Sequence, residues 1–239
     1  MQLTVGSLFS GIGGFDYGLE KAGMKVIWQS EIDPYSSAVL KKHWPNIPNI
    51  GDITKIDWNT IKRPNILCGG YPCQPFSFAG FRKGNNDPRH LWPEFKKAIR
   101  ILRPDYTIME NVRGHLNLGF KEVLKDLTDI GYNAEWQVIP ASTVNAPHKR
   151  ERLIIVAYAK SSNERNTESQ SMVTSSKQTT KFRKQNSTKK PKIYRWKSEP
   201  NVGRVADGIP FRVDRLKGLG NALVPQVAEY VGKLIIAHS

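Results

Sequence analysis

Three groups of residues in this sequence could do chemistry together. The segment GGYPCQPFSF, residues 69–78, sets Cys73 between two prolines, just past the apolar run Ile66–Leu67. Pro72 and Pro75 stiffen the loop, while Gly69 and Gly70 let a ligand come close to the backbone. The run YTIMENV ends in Glu110, Asn111 and Val112, and NAPHKRERLIIVA delivers Arg150 and Arg152 directly ahead of another apolar run. Spacing of i, i+2 sends both arginine side chains to one face of an extended chain. A thiol, a carboxyl group and two fixed cations can generate a nucleophile and move a proton, because positive neighbours lower a thiol's pKa. A single cysteine is also often inert, so position alone leaves the role of Cys73 open. His43, His90, His115 and His148 form no Cys–His signature with it.

A second constellation would hold a nucleoside cofactor. LTVGSLFSGIGGFDYGLEKAG puts Gly11, Gly13 and Gly14 between an expected strand and an expected helix, where backbone N–H groups at the positive helix end can face a ligand. Glu31 ends the next strand twenty residues after Gly11, where an acid can accept from ribose hydroxyls. Gly51-Asp52-Ile53 adds an acceptor for an adenine amino group. Both acids would equally suit capping the helices that follow them. Gly11-Ile12-Gly13-Gly14 departs from the GxGxxG of a nicotinamide dehydrogenase, yet several nucleotide cofactors would fit this much.

Short β-rich runs alternating with helical patterns must position these groups. Strands are expected at LTVGSLF, MKVIWQS, Ile66–Cys68, Tyr106–Met109, Ala134–Ile139 and Leu153–Ala157. Helical patterns span Gly13–Ala22, Pro34–Trp44, Leu91–Leu102, Leu118–Ile130 and Pro225–Ala237. Such alternation is the mark of βαβ units and a parallel sheet. Cys73 then falls at the carboxyl edge of the sheet, where open parallel sheets assemble their sites. Cys68 falls within a strand and reads as structural.

Composition narrows the partners. The 239 residues suit one moderate domain with an appendage. Two cysteines are too few for a secreted disulfide framework or a structural zinc site, so a reducing cytoplasm and no metal are expected. No apolar stretch approaches a membrane span, and the N-terminus lacks the pattern of a signal peptide. The formal net charge of +15 favours a polyanionic partner. Between Lys160 and Lys197 stand eleven Lys or Arg against only Glu164 and Glu168, so this stretch carries nine of the net fifteen charges. Residues 160–192 lack an apolar period and read as a loosely held basic arm, either a phosphate-binding device or a solvated insertion.

SLFSGIGGFDYGLE, SEID, GDI, GGYPCQPFSFAG, ENV, HKRER and GNALVPQVA occur in the order and approximate spacing of the motifs of the DNA cytosine-5 methyltransferases. Over residues 3–157 and 216–237 the chain resembles that family. The resemblance implies a Rossmann-like α/β fold with a mostly parallel twisted sheet and helices on both faces. Residues 1–158 and 217–239 would form the catalytic and cofactor domain, with a small target-recognition region at 159–216. It implies S-adenosylmethionine as cofactor, with Phe9 against the adenine and Gly11, Ile12, Gly13 and Gly14 at the methionine end. Glu31 with Ile32 would hold the ribose, Asp52 with Ile53 the adenine edge, and Pro72, Leu91, Asn221 and Ala222 match further contacts. Cys73 would attack carbon 6 of a cytosine in double-stranded DNA, Glu110 would protonate N3, Arg152 would contact O2 and Arg150 would help place the reacting groups. A cognate restriction endonuclease, a bacterial or phage origin and a monomeric state go with that reading. RNA as substrate, or a DNA-binding remnant with little turnover, stays open as an alternative. His148 stands where the family has glutamine, and the region before Gly218 is short. Arg195, Trp196, Arg204 and Arg212 are loose candidates for base readout there.

Overall fold

Alternation along the central strands explains why the sheet is covered on both sides. The computed structural model describes residues 2–72, 91–159 and 212–238. Cys73, the basic stretch 160–192, Arg195, Trp196 and Arg204 lie outside them. The strands are β1 (Thr4–Leu8), β2 (Lys25–Ser30), β3 (Ile66–Gly69), β4 (Tyr106–Val112), β5 (Tyr132–Pro140) and β6 (Glu151–Ala159). The helices are α1 (Gly14–Lys21), α2 (Pro34–His43), α3 (Trp92–Leu102), α4 (Phe120–Asp129), α5 (Arg212–Asn221) and α6 (Pro225–His238). Val5, Ile66, Cys68, Ile108 and Ile154 point into one core, shared with Phe15 and Leu19 of α1 and Val227 and Val231 of α6. Leu8, Leu67, Met109, Leu153 and Ile155 point into the other, shared with Phe95 and Ile99 of α3 and Val123 and Leu127 of α4. A strand buried on both faces must be apolar at successive positions, and these are.

The sheet order is β2-β1-β3-β4-β6-β5. β2, β1, β3 and β4 run parallel, while β6 lies antiparallel to both β4 and β5. The expected α/β architecture with helices on both faces is thus present. Pairing lengthens three elements beyond their apolar runs: β4 continues past Met109 because Glu110 and Val112 pair with Ile154 and Arg152, β5 starts at Tyr132 because it pairs with Ala159, and β6 starts at Glu151 because it pairs with Pro140. Helix α5 has no counterpart among the helical patterns of the sequence, since Gly218 and Gly220 weaken its signal. Among the described residues no helix is long and apolar enough to cross a membrane.

Helix α6 returns the chain's end to the first βα unit. Gly18 of α1 sits where α6 crosses, and a Cβ there would run into the Pro225 carbonyl oxygen and stand 2.6 Å from Ala228 Cβ. Gly18→Ala is therefore expected to lower stability by about 2 kcal/mol in urea unfolding, because backbone of α6 would have to shift. The helix-propensity gain of roughly 1 kcal/mol is too small to reverse that sign.

A polar network lies beneath the turn that follows β1. The Asp16 carboxylate, fully buried, accepts from Ser7 Oγ at 3.0 Å and Gln29 Nε2 at 2.8 Å. Ser10 Oγ donates to the Ser7 carbonyl oxygen at 3.1 Å. Burial outweighs these hydrogen bonds and pushes the Asp16 pKa up to about 6.

Candidate active site

The carboxyl ends of β1, β2, β3 and β4 converge on one edge of the sheet, and the expected site residues among the described ones lie near it. After β1 the chain turns through Phe9 at φ 51°, Gly11 at φ 54° and Gly13 at φ 85°. Phe9 is half-buried and stacks on Phe95 with ring centroids 6.2 Å apart. Gly13 caps α1, and Gly14 begins it. Glu31 ties this turn to the end of β2: Oε2 accepts from Gly11 N at 2.7 Å, and Oε1 from Ile32 N at 2.9 Å and Asp33 N at 2.7 Å. Oε2, which accepts only one of these bonds, keeps acceptor capacity for a ribose hydroxyl.

Around that turn the surface suits a nucleoside. Ile32 is 67% exposed, an unusual setting for a large apolar side chain, and gives an adenosine-sized ring an apolar wall. A Cβ on Gly11 would meet only the Phe9 carbonyl oxygen, at 4.0 Å, and one on Gly51 would meet nothing within 4 Å. The Asp52 carboxylate accepts from Thr54 N at 3.0 Å and Thr54 Oγ1 at 2.8 Å, and chiefly that backbone bond holds its pKa below the usual value. Capping is thus one role of Asp52, whereas Asp33 and not Glu31 caps the helix that follows β2. The Ile53 side chain is buried, so its backbone is what it offers a ligand. Two carboxylates, an exposed apolar wall, a half-buried aromatic ring and open space over two glycines fit an adenosine-containing cofactor.

The late segment of the chain closes on the same turn. Ile12 meets α5 at Gly218, where a Cβ would be 3.1 Å from Ile12 Cγ2. Lys217 Nζ pairs with Asp33 Oδ2 at 3.1 Å. A Cβ on Gly14 would stand 2.6 Å from the Leu223 carbonyl oxygen, so only glycine lets the segment after Asn221 and Ala222 lie this close.

The catalytic candidates meet one strand away. Glu110 on β4 and Arg152 on β6 are diagonal neighbours on one face of an antiparallel pair, and Arg152 Nε lies 2.7 Å from Glu110 Oε1. Both side chains are largely buried, at 19% exposure for Arg152 and 12% for Glu110. Burial pushes the Glu110 pKa up to about 6, opposed first by Arg152 and then by Arg150. A Cβ on Gly70 would be 2.6 Å from Glu110 Oε2, so the carboxyl group lies against the exit of β3. Half-buried Pro72 follows there, and half-buried Leu91 precedes α3. Arg150 sits beside this pair with its Nη2 on the Gly220 and Ala222 carbonyl oxygens, at 2.5 Å and 2.7 Å. His148 is exposed.

Sequence reading missed Asn49, Lys217, Tyr71 and His115, which hold the site together. Asn49 bridges the two cofactor loops, its Oδ1 accepting from Glu31 N at 3.0 Å and Gly51 N at 3.1 Å. Lys217 anchors α5. Asn111 Nδ2 donates to the Tyr71 carbonyl oxygen at 3.4 Å, and the Tyr71 hydroxyl shares a 2.7 Å hydrogen bond with His115 Nε2. Tyr71 and His115 thereby join the exits of β3 and β4 within a buried aromatic cluster that includes Trp92 and Phe95. These partners lie far apart in the chain, and no local pattern marks them. Tyr71→Phe keeps the ring and removes one buried hydrogen bond, so a loss of about 1 kcal/mol in urea unfolding is expected.

Comparison with known proteins follows the same lines. Residues 3–208 match the model of the C-5 cytosine-specific DNA methylases. The type II methyltransferase M.Eco47II of Escherichia coli is 41% identical over 162 residues, 64% of this chain and 39% of that protein. M.HhaI of Haemophilus parahaemolyticus is 35% identical over 156 residues, 63% of this chain and 47% of its own length. The chain spans less than half the length of these relatives. Among solved structures, a DNMT2 mutant of Spodoptera frugiperda superposes with a TM-score of 0.57 at 25% identity, over 66% of this chain and 50% of that one. Dnmt2 of S. pombe gives the same TM-score, 0.57, over 66% of this chain and 51% of its own. The matched residues 3–208 make up more than half of the chain, and this chain belongs to the C-5 cytosine-specific DNA methylases.

Proposed function

We propose that the chain is a DNA (cytosine-5-)-methyltransferase that uses S-adenosylmethionine and acts on a cytosine turned out of double-stranded DNA. The observation that carries this reading is the buried Glu110–Arg152 pair, 2.7 Å apart at the exit of β3, with a Glu110 pKa of about 6. A carboxyl group so placed can hold a proton near neutral pH and hand it to a ring nitrogen. The thiolate of Cys73 bonds to carbon 6 of the cytosine while Glu110 delivers its proton to N3. Carbon 5 becomes the electron-rich end of the enamine. S-adenosylmethionine, when bound, would supply the electrophilic methyl group for carbon 5 with S-adenosylhomocysteine as the leaving group. Transfer of the carbon 5 proton to water and expulsion of the thiolate restore the aromatic ring, and Glu110 takes back the proton from N3. Arg152 keeps Glu110 aimed at the base and contacts O2.

Phe9, Glu31, Ile32, Asp52 and the backbone at Ile53 would hold the adenosine. Gly11 to Gly14, Pro72, Leu91, Asn221 and Ala222 would line the rest of the cleft. Residues 1–158 and 217–239 form the catalytic and cofactor domain in this proposal, and 159–216 the target-recognition region. The +15 charge supports a duplex partner. The type II naming of the relatives supports a cognate restriction endonuclease in a bacterial or phage-infected cytoplasm.

Bisulfite sequencing of DNA from cells expressing the chain is expected to show cytosines protected within one short sequence. Purified protein should transfer labelled methyl groups to mixed duplex DNA, with structured RNA as a weak competitor. Folded, cofactor-binding protein that methylates no duplex would overturn the reading, and preference for RNA would redirect it.

A further inference from the structure

Arg150 carries several costs in one residue. Its φ of 27° lies in the region that favours glycine. Its pKa is lowered, first by burial and then by the like charge of Arg152. Among the described residues its buried Nε has no hydrogen-bond partner. Geometry of this kind persists only where something offsets it.

The offset lies some seventy residues further along the chain. Nη2 donates to the Gly220 carbonyl oxygen at 2.5 Å and to the Ala222 carbonyl oxygen at 2.7 Å. The last carbonyl groups of a helix lack partners within it and carry partial negative charge, so a guanidinium placed there caps α5. The capped helix reaches the cofactor cleft in two ways: Lys217 pairs with Asp33, and Gly218 abuts Ile12. Immediately past the cap, Leu223 lies against Gly14.

We infer that Arg150 is a positioning residue that straps residues 220–222 down over the cofactor cleft from the side of the Glu110–Arg152 pair. This rests on the reading of that cleft as the S-adenosylmethionine site. One guanidinium then joins the two halves of the site, so holding the late segment in place also keeps a positive charge beside Glu110. Linkage is reciprocal, and a ligand that orders residues 220–222 steadies Arg150 in turn.

The test uses the full-length chain and two variants, Arg150→Ala and Arg150→Lys. S-adenosylhomocysteine binding by titration calorimetry is expected to weaken roughly tenfold or more in Arg150→Ala. Arg150→Lys keeps the charge but lacks the planar fork and is expected to fall between wild type and Arg150→Ala. In the cofactor-free proteins, amide exchange should quicken at Ala222, whose N–H bonds the Gly218 carbonyl oxygen at 3.0 Å, and along α5, with β4 and β6 unchanged. Affinity within twofold of wild type and unchanged exchange would overturn the inference. So would exchange quickened throughout β4 and β6, which would make Arg150 a support of the whole fold. Should Arg150→Ala fail to fold, the same readings on Arg150→Lys decide. Wild type that binds no S-adenosylhomocysteine would instead sink the cofactor reading, while exchange along α5 still judges the strap.

Discussion

Cys73→Ala is expected to abolish methyl transfer to duplex DNA, by more than roughly 10³-fold, and to leave S-adenosylhomocysteine affinity nearly unchanged. Cys68→Ala is the matched comparison, only five residues earlier, and should keep most of the rate. Their difference is one of environment. Cys68 lies in β3, fully buried between Ile66 and Ile108 of the core shared with α1 and α6. Burial first, and the nearby Asp16 carboxyl group second, push its thiol pKa well above the ordinary value, so it carries almost no thiolate near neutral pH. Cys73 follows Pro72 in the sequence, and Glu110, which Gly70 abuts at the exit of β3, lies in the field of Arg152 and Arg150. Two measurements check the pair: labelled methyl transfer, and the denaturation-resistant adduct on DNA containing 5-fluorocytosine. An adduct formed by Cys73→Ala, or lost in Cys68→Ala with the fold intact, would reverse the assignment.

Glu110→Gln is expected to slow adduct formation by roughly 10² to 10⁴, the usual scale for removing a general acid. Its pH behaviour is the sharper reading. Because the Glu110 pKa is raised from 4.5 to about 6, the protonated fraction is large below pH 6 and falls tenfold per unit above it. Adduct formation should therefore lose rate on its alkaline side through loss of this proton, while the Cys73 thiolate imposes a decline on the acid side. Glu110→Gln removes the alkaline limb. Arg152→Ala should move that limb to higher pH, since Arg152 is the main group opposing the upward shift. Stability follows the same sign: a carboxyl group that binds its proton more tightly when folded adds stability that is fully present below about pH 4.5 and is lost as pH rises to about 6. Urea unfolding across pH 4 to 7 should show part of that decline vanish in Glu110→Gln.

Residues that act through local pattern are legible in the amino-acid sequence alone. The run Ile66-Leu67-Cys68 marks a strand buried on both faces, and the glycines of SGIGG mark a turn with positive φ at Gly11 and Gly13. Glu31, Asp52, Glu110 and Arg152 each stand beside an apolar run, and in a parallel sheet the ends of strands meet at one edge. Family motifs in order add the roles. Several strand ends escape the apolar pattern because pairing, not apolar content, extends β4 to Val112, β5 back to Tyr132 and β6 back to Glu151.

By itself, then, the sequence determined the six strands, five of the six helices, and which reactive side chains stand beside their ends. Periods of 2 and 3.6 residues and the conformational limits of glycine and proline are properties of neighbouring residues, and they can be read from them. Only the tertiary structure decided that β6 enters antiparallel between β4 and β5, setting Arg152 against Glu110. It also decided that α5 forms despite Gly218 and Gly220, that Tyr71 meets His115, and that Arg150 grips the carbonyl groups of Gly220 and Ala222. Each of these contacts joins segments distant in the chain. Their free energy comes from burial and hydrogen bonding after the chain has closed on itself, and no local stretch of residues encodes that closure.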